Sequence, residues 1–333
     1  VVDHPPKSEI GGWREQVIHP RIFILIFVLS LGGCKFSSDP RSQKKGDEPS
    51  EPITLTADQE SRIQKMCHDL DRSISNYRWG IKTCDGIQWK TEMDSVENRP
   101  LIWTEFGNPY SANKTLILSM VHPDEITPLY LGFQLTHWLK DREKEFKDIH
   151  VIVAPFINPD GHFRRPPIRM NARGVDVNRN FPTKDWDTHA LKIWKGQLNS
   201  NKRRFPGLKA ASEPETEFQR KLIKRFSPKK ILSIHAPLNI TDYDGPSNLT
   251  LDKFPKEYVQ ECVRLRNRLR ATSTGFFPGS LGNYSGQEMG IPTITLELPS
   301  ANPKQAALFW KKFQPGIHSM IEFKIEKEEK VTP

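Results

Sequence analysis

Apolar residues along the chain fall into two textures. Five short runs, "LIWTEFG" from Leu101, "TLILSMV" from Thr115, "HVIVAPF" from His150, "KKILSIH" from Lys229 and "IPTITLEL" from Ile291, are dense in Ile, Val, Leu and Thr. Their length and near-continuous hydrophobicity predict strands, most of them buried on both faces. Between them, apolar residues recur at helical spacing over about Leu129–Phe146, Glu213–Phe226, Lys256–Ala271 and Lys304–Glu322. Ser212 is the expected N-cap of the second of these, with Pro214 in its first turn. Thr56 with Gln59 reads as a capping box that opens an earlier helix running to about Ser75. Strands alternating with helices predict an α/β domain: a mixed, largely parallel twisted sheet with helices on both faces.

Ahead of that domain the pattern changes twice. "IFILIFVLS" follows Arg21 and has the shape of a signal-peptide core, too short to span a bilayer as an anchor. It runs into Leu31, Gly32, Gly33 and Cys34. The Lys-, Ser-, Asp- and Pro-rich segment that follows offers no apolar face for a core helix to pack against. It reads as a tether reaching roughly 25 Å as a random coil. The expected organisation is a leader over 1–33, a tether over 34–52 and a folded domain over 53–325.

Composition narrows the class. A hydrophobic content of 36% over 333 residues is ordinary for a globular core, which excludes a disordered or fibrous chain. The net charge of +9 points to an acidic partner. There is no nucleic-acid motif, no long Lys/Arg run and no internal repeat, so nucleic acid is not expected as a partner. Four cysteines are too few for a disulfide scaffold. Cys67 and Cys84 could pair in an oxidising compartment, and Cys262 reads as a buried thiol.

In open α/β sheets, ligands bind beyond the carboxyl ends of the strands. His122 follows one predicted strand, Asn158 to Gly161 another, His235 ends a third, and Glu297 lies at the end of a fourth. His122 and Glu125, three positions apart on a strand exit or first helical turn, can grip one ion, with His235 as a third ligand. A carboxylate inside "ITLEL" is costly to bury unless it meets a cation or a bound water, which marks Glu297 as a candidate base. The segment "IRMNARGVDVNRNFP" concentrates Arg169, Arg173 and Arg179 with Asn171, Asn178 and Asn180, natural partners for carboxylates and oxyanions.

Taken in order, "HPDE", "NPDG", "RMNARGVDVNRNFP", "SIHAP" and "TLELP" resemble the zinc carboxypeptidase family of metallopeptidases over roughly residues 100 to 300. The resemblance implies one zinc ion per chain held by His122, Glu125 and His235, with Glu297 as general acid/base. It implies Arg169 as the group that polarises the scissile carbonyl, and Asn178 with Arg179 as the site for the substrate's terminal carboxylate. The sequence departs from the family in having Pro123 after the first histidine. It also has Phe276 and Phe277 near the place where digestive members carry a loop tyrosine. Tyr284 is out of register, and no tyrosine role is assigned.

The loop "TSTGFFPGSLGNY" together with "HAPLNITDYDGP" resembles the bacterial branch that cuts peptidoglycan stem peptides. That likeness implies hydrolysis between γ-D-glutamate and meso-diaminopimelate, with Asp244, Gly245 and Pro246 shaping the pocket beside His235. The residues around Cys34 resemble a lipobox, which implies a lipid anchor on the periplasmic side of the bacterial cell envelope. The alternatives are an N-acyl amino acid deacylase of the related branch and an inactive lipoprotein that binds cell-wall peptides. Residues 53–99, where the resemblance fades, are either an extra lobe or part of the main domain.

Overall fold

The computed structural model describes residues 53–246 and 277–325. The leader, the tether, Cys34, Cys262 and the helix expected over 256–271 lie outside these residues, as does Phe276.

All five predicted strands are present, and two more join them. The strands are β1 (Lys90–Asp94), β2 (Pro100–Gly107), β3 (Lys114–Ser119), β4 (His150–Ala154), β5 (Lys230–His235), β6 (Ile240–Asp244) and β7 (Thr293–Glu297). They form one sheet in the order β1-β2-β4-β3-β5-β7-β6. Strands β4, β3, β5 and β7 run parallel, while β1, β2 and β6 pair antiparallel at the flanks. Of the parallel strands, β4, β3 and β5 read as continuous apolar runs because both of their faces are covered. In β3, Ile117 joins the cluster under one layer of helices while Leu116 and Leu118 join the other, following the two-residue period of a strand.

The helices are α1 (Ala57–Ile74), α2 (Thr127–Asp141), α3 (Pro159–His162), α4 (Leu191–Lys195), α5 (Pro214–Phe226) and α6 (Ala306–Glu322). On one face, α2 contributes Leu131 and Leu135, and α6 contributes Phe309, Phe313 and Ile317. On the other, α5 contributes Phe218, Leu222 and Phe226. The capping box of α1 forms as expected: Thr56 Oγ1 accepts from Gln59 N–H, and the Gln59 side chain accepts from Thr56 N–H. At α5 the expected cap shifts by one residue. The N-cap is Glu213, extended at φ −99° and ψ 133°, and its side chain makes no capping bond. Pro214 explains the shift, since it disfavours helical backbone in the residue before it and itself supplies no N–H. Ser212 instead donates through Oγ to Glu213 Oε1.

Residues 53–99 pack into the same core. α1 buries Ile63, Met66, Leu70 and Ile74 in a cluster with Phe133 of α2 and Phe156. A disulfide joins Cys67 to Cys84, and β1 extends the sheet along β2.

Candidate metal centre and substrate cleft

The parallel strands bring their exits to one end of the sheet. The chain leaves β3 through Met120, in the left-handed region at φ 57°, and enters a turn in which Glu125 N–H donates to His122 O at 3.0 Å. This turn sets His122 and Glu125 on one side, ahead of α2. Strand β5 lies beside β3 and ends at His235, and Glu297 of β7 is its direct register partner.

His122, Glu125 and His235 each present a ligand atom, and these atoms all lie within 4.8 Å of one another. His122 Nδ1 is 3.0 Å from Glu125 Oε1, and His235 Nδ1 is 3.1 Å both from His122 Nδ1 and from Glu125 Oε2. Each ring turns its other nitrogen outward to an oxygen: His122 Nε2 lies 3.0 Å from Asp176 Oδ1, and His235 Nε2 lies 3.0 Å from Ser233 Oγ. Both rings are thereby held with Nδ1 facing inward, the orientation a histidine ligand needs. Two imidazoles and one carboxylate with room for a fourth ligand suit a catalytic zinc ion.

Asp176 went unnoticed in the sequence. It is fully buried and accepts from Arg169 Nε at 2.9 Å, from Asn178 N–H at 3.0 Å and from His122. Burial opposes its ionisation, but Arg169 and His122 outweigh that and hold its carboxyl well below the usual range. Only its place within "GVDVNR" could have drawn attention to it, because its partner His122 is 54 residues away.

Arg169 donates through Nη1 to Glu125 Oε1 at 2.9 Å. It is therefore tied directly to the donor set. Asn178 Oδ1 accepts from Leu281 N–H at 2.8 Å, which leaves its amide nitrogen as the group it can offer the cleft. Arg179 donates through Nη1 to Asn178 O and lies over the Phe277 ring at 4.5 Å, while its buried Nε has no partner among the described residues. Burial pushes this guanidinium down to about 10. Gly279, at φ 78°, lets the backbone of the following loop pass over Arg179; a Cβ there would meet Arg179 O at 2.1 Å.

Glu297 faces a cleft of about 830 Å³ shared with His122, His235, Arg169 and Arg179. Its only polar side-chain contact among the described residues is a 3.5 Å approach from Leu238 N–H. Burial raises its carboxyl above the ordinary range. Because β6 covers the outer side of β7, Glu297 is not on an edge strand. Asp244 also lines the cleft and accepts from Gln287 Nε2 at 3.1 Å. Tyr284 does not line it; its ring packs 5.4 Å from that of Phe181 and accepts a contact from Arg220.

Residues 89–300 match the zinc carboxypeptidase family. The chain belongs to that family. Its members are hydrolytic zinc enzymes, so zinc is the cofactor for which the three converging donors are suited. Among curated relatives, it is 30% identical over 218 residues to murein peptide amidase A of Escherichia coli K12, spanning 64% of this chain and 82% of that protein. It is also 30% identical over 210 residues to murein peptide amidase A of Vibrio campbellii, spanning 62% of this chain and 77% of that one. Two solved structures share the carboxypeptidase fold. The murein-tripeptide amidase of E. coli O157 is 23% identical with a TM-score of 0.50, covering 74% of this chain and 97% of its own. Bovine thrombin-activatable fibrinolysis inhibitor is 16% identical with a TM-score of 0.54, covering 78% and 95%. The family match begins at Trp89, so α1 and the disulfide lie outside the part that defines membership.

Proposed function

We propose that this zinc carboxypeptidase-family chain hydrolyses peptidoglycan stem peptides at the bond between γ-D-glutamate and meso-diaminopimelate. The observation that carries this reading is the 30% identity to a murein peptide amidase along 82% of that protein's length. His122, Glu125 and His235 would hold a zinc ion, which when bound would supply Lewis acidity for polarising the carbonyl and acidifying water. Glu297 removes a proton from the attacking water and returns it to the leaving amine, so water adds across the amide with no covalent enzyme intermediate. A carboxyl raised by burial is suited to both halves of that transfer.

Arg169, its Nε fixed by Asp176, turns its remaining donors toward the oxygen that gains charge. Asn178 and Arg179 take the terminal carboxylate and so set which bond lies opposite Glu297. The same reading places the protein where stem peptides arise, in the cell envelope, with Cys34 as its lipidated anchor. The support for that placement is the leader-like sequence ending at Cys34.

The test is incubation of the zinc-loaded soluble part, from about Lys35 onward, with L-Ala-γ-D-Glu-meso-diaminopimelate. Free diaminopimelate should appear by mass spectrometry, and should be lost on chelation and in Glu297→Gln with zinc still bound. Zinc bound with no release, alongside cleavage of N-acyl amino acids, would move the protein to the deacylase branch. Binding of wall peptides without cleavage of any substrate would make it a binding protein.

A further inference from the structure

The segment between α4 and α5 brings a cation to the cleft that the proposed chemistry does not use. Arg203 and Arg204 line the cleft together with Asp124, Arg169 and Arg179. Their turn is fixed ahead of them. Asn201 Oδ1 accepts from Arg203 N–H at 3.0 Å, and Asn201 O accepts from Arg204 N–H at 2.9 Å and from Trp194 Nε1 at 2.8 Å. It is also fixed behind them, where the Phe205 ring packs 4.8 Å from that of Trp194 and Phe205 O accepts from Asp176 N–H at 2.8 Å. The residue that fixes Arg169 and the turn that bears Arg204 are thus joined through backbone.

The two arginines differ in what they meet. Arg203 donates through Nη1 to Asp124 Oδ2 and is occupied there. Arg204 is partly buried, and among the described residues its guanidinium has no hydrogen bond or ion pair. Two further acids of the lining are engaged elsewhere: Asp185 accepts from Thr183 Oγ1 at 2.7 Å, and Glu288 accepts from Lys184 N–H at 2.6 Å. The charge of Arg204 reaches Arg179, where, after burial, it joins Arg169 in opposing a further cation, against the pull of Asp176 and Glu125. A guanidinium partly withdrawn from water and facing other cations is unfavourable until a carboxylate reaches it.

We infer that Arg204 is a specificity-determining residue that receives the free α-carboxylate of the D-glutamyl residue on the acyl side of the scissile bond. A γ-linkage consumes the side-chain carboxyl and leaves the α-carboxylate ionised. That carboxylate lies four single bonds from the scissile carbonyl carbon, roughly 5 Å away when extended. Arg169 addresses the carbonyl, and the backbone bond from Asp176 sets the turn of Arg204 beside it. The released residue lies on the other side, toward Glu297, which protonates its amine. The inference rests on the function proposed above and adds the group that tells a γ-glutamyl acyl residue from a neutral one.

Two readouts keep the inference and that function apart. Zinc-loaded Glu297→Gln protein is titrated calorimetrically with L-Ala-γ-D-Glu-meso-diaminopimelate and with the same tripeptide carrying an α-carboxamide on its D-glutamyl residue. The acid should bind at least tenfold more tightly. Adding Arg204→Gln should bring that ratio toward one through weaker binding of the acid, and Arg204→Lys should restore part of it. Arg203→Gln should keep most of the preference. With Glu297 intact, release of diaminopimelate from the two tripeptides should show the same ratio in kcat/KM. Equal binding of acid and amide, or an Arg204→Gln variant that weakens both alike, would overturn the assignment. A binding preference that depends on Arg204, with no release by the active enzyme, would instead overturn the proposed bond and leave the assignment standing. Should Arg204→Gln fail to fold, the ratio at the native arginine and its change in Arg204→Lys still decide it.

Discussion

Asp176 Oδ1 lies 3.0 Å from His122 Nε2, on the opposite edge of the ring from the nitrogen that faces Glu125. The same carboxylate holds Arg169 through its other oxygen. One buried residue therefore orients both a metal donor and the guanidinium beside it. Asp176→Asn keeps the size but weakens both contacts. Zinc affinity should fall by roughly 10- to 100-fold, measured by competition with a chromogenic chelator. Unchanged affinity would mean that packing alone holds the His122 ring.

Arg179 carries a buried Nε without a partner among the described residues and lines the cleft beside Asn178. Arg179→Ala should mainly raise KM for substrates with a free terminal carboxylate and have little effect on their C-terminal amides. A collapse of kcat at unchanged KM would assign Arg179 to the transition state and exchange its role with that of Arg169.

Glu215 links acidity to stability through the loop that carries Arg169 and Asn178. It is fully buried, and Asn171 Nδ2 donates both to Glu215 Oε2 at 2.8 Å and to Glu213 Oε2 at 2.7 Å. Burial pushes the Glu215 carboxyl up to about 7, the nearby Asp160 and Glu213 adding to the rise and Asn171 opposing it. Glu215 Oε1 and Gln219 Oε1, one helical turn apart, both lack a donor among the described residues, and a proton on Glu215 supplies one. A carboxyl whose pKa is higher folded than unfolded stabilises the fold fully below about pH 4.5 and loses that contribution as pH rises through about 7. Relative to wild type, Glu215→Gln should gain on the order of 3 kcal/mol between pH 4.5 and pH 8. Urea unfolding of the metal-free proteins at both pH values measures it; an identical difference at the two would rule out the buried proton.

The Cys67–Cys84 bond closes a loop of sequence separation 17 between α1 and the approach to β1. Replacing both cysteines by alanine should lower unfolding stability by roughly 3 kcal/mol. Zinc affinity should stay unchanged, because the metal donors lie in the turn after β3 and at the end of β5 rather than on α1. A loss of zinc binding in that variant would show that α1 buttresses the donor turn.

The parts of the fold legible in the sequence are those whose burial is two-sided. Strands β3, β4 and β5 stand out as apolar runs because helices cover both of their faces, while β7 buries one face and turns Thr295 and Glu297 to the cleft. Strands β1 and β6 do not. "KTEMD" lies at the outer edge with a mixed burial pattern, and "ITDYD" gives its alternate positions to the cleft, so acids stand where a strand signal needs apolar residues. The donors His122, Glu125 and His235 were legible because each interrupts or ends an apolar strand context. Asp176 was not, since its meaning comes from His122 and Arg169, which only the folded chain brings near. At α5, sequence reasoning favoured Ser212 as the cap, but the constraint that Pro214 places on its predecessor prevailed.

His122 and His235 are 113 residues apart in the chain and meet only because β3 and β5 are neighbours in the sheet. Until those strands pair in register, the ion has two of its three donors, His122 and Glu125. Zinc therefore cannot nucleate this fold as it does in small metal-built domains. It arrives after the sheet has assembled and then stabilises the finished protein by mass action. Metal uptake during refolding would serve as a clock for the moment at which the centre of the sheet closes.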